Sequence, residues 1–278
     1  MNKNSYPRIG FIGAGNMATA LAGGLRAQGW PADHLWLSDP NAGQLAAHAE
    51  AGCRTTQDNI LLTRSVDLLV LSVKPQVMAD VLRPLAATVQ QKHPLVLSIA
   101  AGIPADSLSR WLGGGVAVVR AMPNTPALVQ TGAAGLYANE RVSESQRRLA
   151  EQVMGAVGLS LWVESEDLID AVTAVSGSGP AYFFYVMEAM IAAGVRLGLD
   201  ERDARALTLQ TALGAAQMAI TSDAGPAELR RRVTSPNGTT EQAVRVFDEA
   251  GLGDIFQRAL QACADRGADM AAQLGAAD

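Results

Sequence analysis

Arg8-Ile9-Gly10-Phe11-Ile12-Gly13-Ala14-Gly15-Asn16-Met17-Ala18 is the stretch that decides the fold. Its first five residues form a nearly continuous apolar run, the composition of a strand covered on both faces. Two glycines and an alanine follow at GxGxxA spacing, and an amphipathic helical pattern runs from Asn16 to about Gln28. Strand, glycine-rich turn and helix in that order build a cradle for a pyrophosphate. Gly13 permits the tight turn, Gly15 lets the backbone approach a ligand, and Ala18 keeps the helix close to the sheet. The helix start then offers free N–H groups and the positive end of its dipole. A glycine-rich turn with no ligand is the alternative, and the order of the three elements speaks against it.

Outward from this unit, residues 35–38, 67–73, 95–99 and 116–120 read as further buried strands with helical stretches between them. Residues 133–137 and 159–163 read as edge strands. Apolar strands alternating with helices imply an α/β Rossmann domain with a doubly wound, mostly parallel sheet over residues 1–164. Beyond it, helical periodicity covers 167–197, 203–221, 239–250 and 254–273, an all-α C-terminal domain over residues 165–278. Gly177-Ser178-Gly179-Pro180 is expected to kink the first of these helices.

Composition bounds the function classes. A chain of 278 residues with 49% hydrophobic and 18% charged residues is an ordinary globular length and mix. A net charge of −5 gives no electrostatic reason to expect nucleic acid or an anionic membrane as partner. Cys53 and Cys263 form no CxxC pair, so neither a disulfide framework nor a metal site is expected. The polar start and the lack of an apolar stretch near the roughly 18 residues of a membrane span point to a soluble, cytoplasmic protein.

The rule that a Rossmann sheet binds ligands outside the carboxyl ends of its strands nominates the cofactor residues. They are Ile12, Gly13, Ala14, Gly15, Asn16 and Met17 at the first turn and Ser38 at the end of the second strand. Asn59 faces the adenosine side, and Ser72, Val73, Lys74, Pro75, Ala100 and Ala101 lie around the nicotinamide half. Asp39 stands about 24 positions after Gly15, where an acid favours the free 2′-hydroxyl of NAD, and the next basic residue is Arg54. An outward-pointing Asp39 with Ser38 making the contact is the alternative, so NADP(H) and NAD(H) both stay open. Lys74 reads either as a catalytic ammonium or as an exposed loop lysine beside a rigid Pro, and the second fits its residue type better.

His34, His48 and His93 all fall in the first domain away from polar clusters, which argues against a histidine-based dehydrogenase. The polar concentrations are RAMPNTP at 120–126, SGSGP at 176–180 and TSPNGTT at 234–240. With the glycine turn and Val73-Lys74-Pro75, these closely resemble pyrroline-5-carboxylate reductase, the last enzyme of proline biosynthesis, from Ile9 to about Gln261. One departure is visible: Asn237 stands where the family usually has Gly, and Asn tolerates φ > 0 better than other side chains.

The resemblance implies hydride transfer from NAD(P)H to C5 of 1-pyrroline-5-carboxylate, giving L-proline, with no metal. It implies that the threonine matching Thr240 touches the ring nitrogen, as an orienter and proton conduit. Ser235, Gly238, Thr239 and Thr240 would receive the substrate carboxylate at a helix start. The local alternative is that Thr239 caps the helix, with Gln242 completing a capping box. Glu166 matches a family position near the substrate and reads equally as first-turn helix charge. Ser176 and Ser178 lack a base partner, so their segment reads as packing. The resemblance also implies self-association as a dimer, with rings such as a decamer beyond it, and a site shared between subunits. Another reductase on the same plan and a nucleotide-sensing module are the competing readings.

Overall fold

A computed structural model describes residues 6–275. The first half alternates strand and helix: β1 (Ile9–Ile12), α1 (Asn16–Ala27), β2 (Leu35–Ser38), α2 (Ala42–Glu50), β3 (Arg54–Thr56), α3 (Asn59–Ser65) and β4 (Leu68–Leu71). Then come α4 (Met78–Leu82), α5 (Ala86–Lys92), β5 (Leu95–Ser98), α6 (Ala105–Trp111), β6 (Val118–Met122), β7 (Gly132–Ala138), α7 (Glu144–Gly155) and β8 (Gly158–Trp162). Helices follow to the end: α8 (Leu168–Val172), α9 (Gly179–Arg196), α10 (Glu201–Thr221), α11 (Pro226–Arg232), α12 (Thr239–Glu249) and α13 (Leu252–Gly275).

The eight strands form one sheet in the order β3-β2-β1-β4-β5-β6-β7-β8. Strands β1 to β6 are mutually parallel and give the 3-2-1-4-5-6 order of a dinucleotide-binding sheet. Period-two alternation makes each strand serve both faces. In β4, Leu68 and Val70 join a core with Leu21 and Leu25 of α1 and Val153 of α7. Leu69 and Leu71 join the opposite core with Leu62, Leu82, Val89 and Leu108. All four β4 residues are fully buried, each stabilising the fold by about 1.5–3 kcal/mol.

Two departures from the expected strands have simple causes. The strand β3 carries no sequence signal because it is a three-residue Arg-Thr-Thr edge with too little alternation to show a period. The strand at 116–120 instead covers Val118–Met122, so Arg120 sits inside it, opposite Ser98 on one side and Tyr137 on the other. Residues 133–137 and 159–163 do join the sheet, as β7 and β8, but only β8 is an edge strand, since β7 pairs with β6 and β8 on its two sides. The β6–β7 connection is too short for a crossover helix, and Gln130 turns it at φ +58°, so β7 returns antiparallel.

The interruption expected at 177–180 falls earlier, at a single π turn, Thr173–Gly177, where the Ser178 N–H donates to the Thr173 carbonyl at 2.8 Å, while Gly179 and Pro180 open α9. A side chain at Gly177 would put Cβ 2.7 Å from Met122 Cε, so a larger residue there requires the flexible end of Met122 to move.

The chain forms two compact units: residues through Ser178 together with those from Ala262 on, and Gly179–Gln261. In the first, the end of α13 lies on the loop after β5. Met270 Cβ stands 3.0 Å from where a Gly102 Cβ would be, and the Gly275 carbonyl accepts from Arg110 Nη2 at 2.6 Å and from Ser107 Oγ at 3.1 Å. In the second, α9 packs on α10 around Gly194, whose Cβ would meet Ala204 Cβ at 3.2 Å. Among the described residues, no helix is long and apolar enough to cross a membrane.

Candidate active site

The carboxyl ends of β1, β2 and β4 converge on the glycine turn. Gly13 adopts φ +94°, and a side chain there would meet the Ser72 carbonyl at 2.8 Å, so this turn requires glycine. Its N–H donates to the Ser38 carbonyl at 2.7 Å. The Ser72 hydroxyl lies 2.8 and 2.7 Å from the carbonyls of Ile12 and Gly13, tying the turn to β4. Gly15 is different. Its φ is −73°, and a Cβ there would meet nothing within 4 Å. The protein itself does not need glycine at position 15; the open space over the start of α1 does. No side chain caps that start. The exposed N–H groups and the uncovered glycine fit a pyrophosphate laid on the turn.

Around the adenosine end, the Ser38 hydroxyl donates to Asn59 Oδ1 at 2.6 Å, placing these two expected residues side by side. Asp39, which leaves β2 one residue later, turns its carboxylate inward. Oδ2 accepts from the Ala14 N–H at 3.0 Å and Oδ1 from the Asn41 N–H at 2.9 Å. Behind this wall, His48 of α2 lies 3.1 Å from Thr19 Oγ1 of α1. Burial and the nearby Arg26 charge hold its pKa below the ordinary value.

At the nicotinamide end, Val73, Pro75, Ala100 and Ala101 are half-buried, while Lys74 is exposed and opens the 3-10 turn Pro75–Val77. The loop after β5 is anchored from two directions. Met270 covers Gly102, and the first N–H of α6, on Ala105, donates to Glu166 Oε1 at 2.7 Å. The same oxygen accepts from buried Arg120 Nη1 at 2.8 Å. The Glu166 carboxylate therefore ties β6 and α6 to the segment entering α8. Burial raises the Asp170 carboxyl above its ordinary pKa, while nearby Arg120 pulls it down. Asn124 completes the frame: its Nδ2 donates to the Ser176 carbonyl and its Oδ1 accepts from the Ala133 N–H, both at 2.9 Å. The π turn is thus packed in place, and Ser176 donates only to the Val172 carbonyl.

Arg120 and Asn124 are not among the site residues that the sequence nominates. An arginine inside an apolar strand was the available signal, since a buried charge requires a partner.

The second candidate constellation lies in the other compact unit. Asn237 takes φ +58°, the left-handed conformation expected where the family has glycine. Thr239 does not cap α12. Gly238 is the N-cap, with no side-chain hydrogen bond, and the N3 residue is Glu241, whose Oε2 accepts from the Asn237 N–H at 2.8 Å. The capping box with Gln242 is therefore not formed. The left-handed turn brings the Gly238 N–H onto the Ser235 carbonyl at 3.0 Å and starts the helix one residue earlier. That bond occupies the Gly238 N–H and leaves the first-turn N–H groups of Thr239 and Thr240 without intrahelical acceptors. Ser235, Thr239 and Thr240 are exposed. Among the described residues, no group of three His, Cys, Asp or Glu side chains is placed to hold a metal.

Comparison with known proteins identifies both halves. Residues 166–270 match the family described as pyrroline-5-carboxylate reductase dimerisation, and residues 8–102 match NADP oxidoreductase coenzyme F420-dependent. A pyrroline-5-carboxylate reductase of Pseudomonas aeruginosa is 56% identical over 98% of this chain and 99% of its own. The structure of a pyrroline-5-carboxylate reductase from Coxiella burnetii superposes with TM-score 0.92 at 43% identity, over 95% of this chain and 98% of that one. A Plasmodium falciparum pyrroline carboxylate reductase structure with NADP bound gives TM-score 0.85 at 27% identity, covering 95% and 98%. The chain belongs to the pyrroline-5-carboxylate reductase family.

Proposed function

We propose that this oxidoreductase reduces 1-pyrroline-5-carboxylate to L-proline, the last step of proline biosynthesis, with NADP(H) or NAD(H) held on the β1–α1 turn. One observation carries the assignment of residues: the start of α12 is capped by a glycine, leaving the Thr239 and Thr240 N–H groups free for a carboxylate. Ser235 adds its hydroxyl. The Gly238 N–H is spent on the Ser235 carbonyl, so Gly238 contributes space and not a hydrogen bond.

Bound NAD(P)H supplies the hydride that C5 of the substrate receives. The chain supplies position. The Thr240 hydroxyl orients the ring nitrogen and relays a proton to it from solvent, and a substrate already protonated in solution needs no stronger acid. Ile12 to Met17 carry the pyrophosphate, Ser38 and Asn59 frame the ribose, and Ser72 to Pro75 with Ala100 and Ala101 border the nicotinamide. Glu166 acts at the substrate end by holding the loop after β5.

We assign residues 1–164 to the nucleotide and 165–278 to substrate and dimerisation. Self-association follows from the dimerisation family; a dimer with shared sites, and rings such as a decamer built from it, is the assembly we propose. Two free cysteines support a cytoplasmic setting. Purified protein given pyrroline-5-carboxylate and each reduced dinucleotide, with no metal added, is expected to oxidise at least one of them. No turnover with either, or full loss on chelation, overturns the assignment.

A further inference from the structure

We infer that the ribose end of the cofactor site is built for NADH over NADPH, with Asp39 as the residue that discriminates. The inference rests on the dinucleotide reading and adds to it the order of the two affinities.

Three observations carry it. First, Asp39 leaves the carboxyl end of β2, the place from which a Rossmann sheet reads the 2′ position of the adenosine ribose. Second, its carboxylate is fixed. Bonds of 3.0 Å from the Ala14 N–H and 2.9 Å from the Asn41 N–H lock both oxygens against the glycine turn and the start of α2. Asp39 is half-buried there, and its remaining lone pairs suit a hydroxyl donor. A 2′-phosphate offers only acceptor oxygens and about two negative charges, which a fixed carboxylate repels.

Third, no described residue places a compensating cation at this end. From Ser38 to the end of α3 the basic side chains are His48, Arg54 and Arg64, and Arg64 lies in the last turn of α3, at the opposite end of that helix from Asn59. His48 is buried against Thr19. Arg54 opens β3 in register with Trp36, two residues before Ser38, and lines a cavity with Arg8, Asp33 and His34 at the amino ends of the strands. Asp58 adds a second carboxylate after β3, where it caps α3 through the N–H groups of Ile60 and Leu61. Lys74 follows β4, which lies on the far side of β1 from β2. Residues at this end therefore suit a ribose with its 2′-hydroxyl free, although the family description that matches the domain names NADP.

The test measures binding apart from turnover. ADP-ribose and its 2′-phosphate, each titrated calorimetrically into the full-length protein, isolate the end of the cofactor in question. Fluorescence titration with NADH and NADPH repeats the comparison on whole cofactors. The unphosphorylated member of each pair is expected to bind more tightly by on the order of tenfold, the scale of one charge-assisted hydrogen bond. In Asp39→Ser, which removes the charge and keeps a hydroxyl, the gap is expected to close or invert while the melting temperature shows the fold intact. Equal or tighter binding of the phosphorylated forms overturns the preference while the reductase reading stands. An unchanged ratio in Asp39→Ser overturns the role of Asp39. If no dinucleotide binds, both this inference and the cofactor reading fail together.

Discussion

Glu166 Oε1 accepts from Arg120 Nη1 at 2.8 Å across 46 residues of sequence, and the arginine side chain is only 6% exposed. The glutamate therefore neutralises a buried charge and holds the first N–H of α6. Glu166→Ala is expected to cost about 3 kcal/mol, because it strands the guanidinium. Glu166→Gln keeps an acceptor for both donors but not the neutralising charge, and is expected to cost less than Ala, about 2 kcal/mol. Melting temperature reads this order, and a Gln variant less stable than the Ala variant would contradict it. A Gln variant of full stability whose kcat/KM falls sharply would show Glu166 on the substrate.

Gly13 and Gly15 separate strain from ligand approach. Gly15→Ala meets open space at an ordinary φ, so its melting temperature is expected to stay within about 1 °C while the dinucleotide KM rises. Gly13→Ala forces a Cβ at φ +94° to within 2.8 Å of the Ser72 carbonyl and is expected to destabilise the fold. An unchanged KM in Gly15→Ala would mean that no phosphate crosses that position.

Much of this was readable in advance for identifiable reasons. The β1 strand, glycine turn and α1 are contiguous, and their signals are local. Asn237 also yielded to a local argument, because φ > 0 restricts residue type. The strand β3 is too short and polar to show a period. Thr239 is a good capping residue with a glutamine three positions on, yet the turn at Asn237 hands the N-cap to Gly238. The Arg120–Glu166 pair joins residues with no periodic relation, and only the fold brings them together. Asp39 showed its residue type and spacing, but its inward turn onto Ala14 depends on tertiary geometry.

Thr240 tests the substrate end. Thr240→Ala is expected to lower kcat/KM by about one to two powers of ten, the worth of a hydrogen bond to a charged group, and Thr240→Ser to retain most activity. Because Gly238 is the N-cap, loss of the hydroxyl removes no cap and stability should hold. Equal kinetics for Ala and wild type would remove Thr240 from the mechanism.

His48 gives the fold a pH dependence of known sign. Burial, with the charge of Arg26, depresses its folded pKa, so folding favours the neutral ring. Its contribution is complete above the unfolded value of 6.5 and is lost as pH falls from there through the folded pKa. His48→Gln keeps a polar partner for Thr19 Oγ1 and is expected to flatten stability against pH in that window. An equally steep slope in the variant would place the titrating group elsewhere.

The surface of the helical unit bears on how active sites are made. In α9, Phe183, Phe184, Tyr185 and Val186 are consecutive and exposed, so apolar surface runs around the helix and not along one stripe. Leu197 is 87% and Ile220 84% exposed, a degree of apolar exposure that marks an unfinished interface. Residues 166–270 match a dimerisation family, and a twofold partner of the same surface would cover these side chains. If the partner's helical unit also completes the site, two defects on different chains complement. Combine Gly15→Val, impaired at the dinucleotide turn, with Thr240→Ala, impaired at the substrate motif, and let subunits exchange. In a shared arrangement each mixed dimer holds one site from two intact halves and one from two defective halves. An equimolar, randomly paired mixture should then recover about one quarter of the wild-type sites. In an arrangement confined to one chain, every site keeps a defect and activity stays at the average of the two variants. Mixtures shown by mass spectrometry to contain heterodimers, yet no more active than that average, would rule out the shared site.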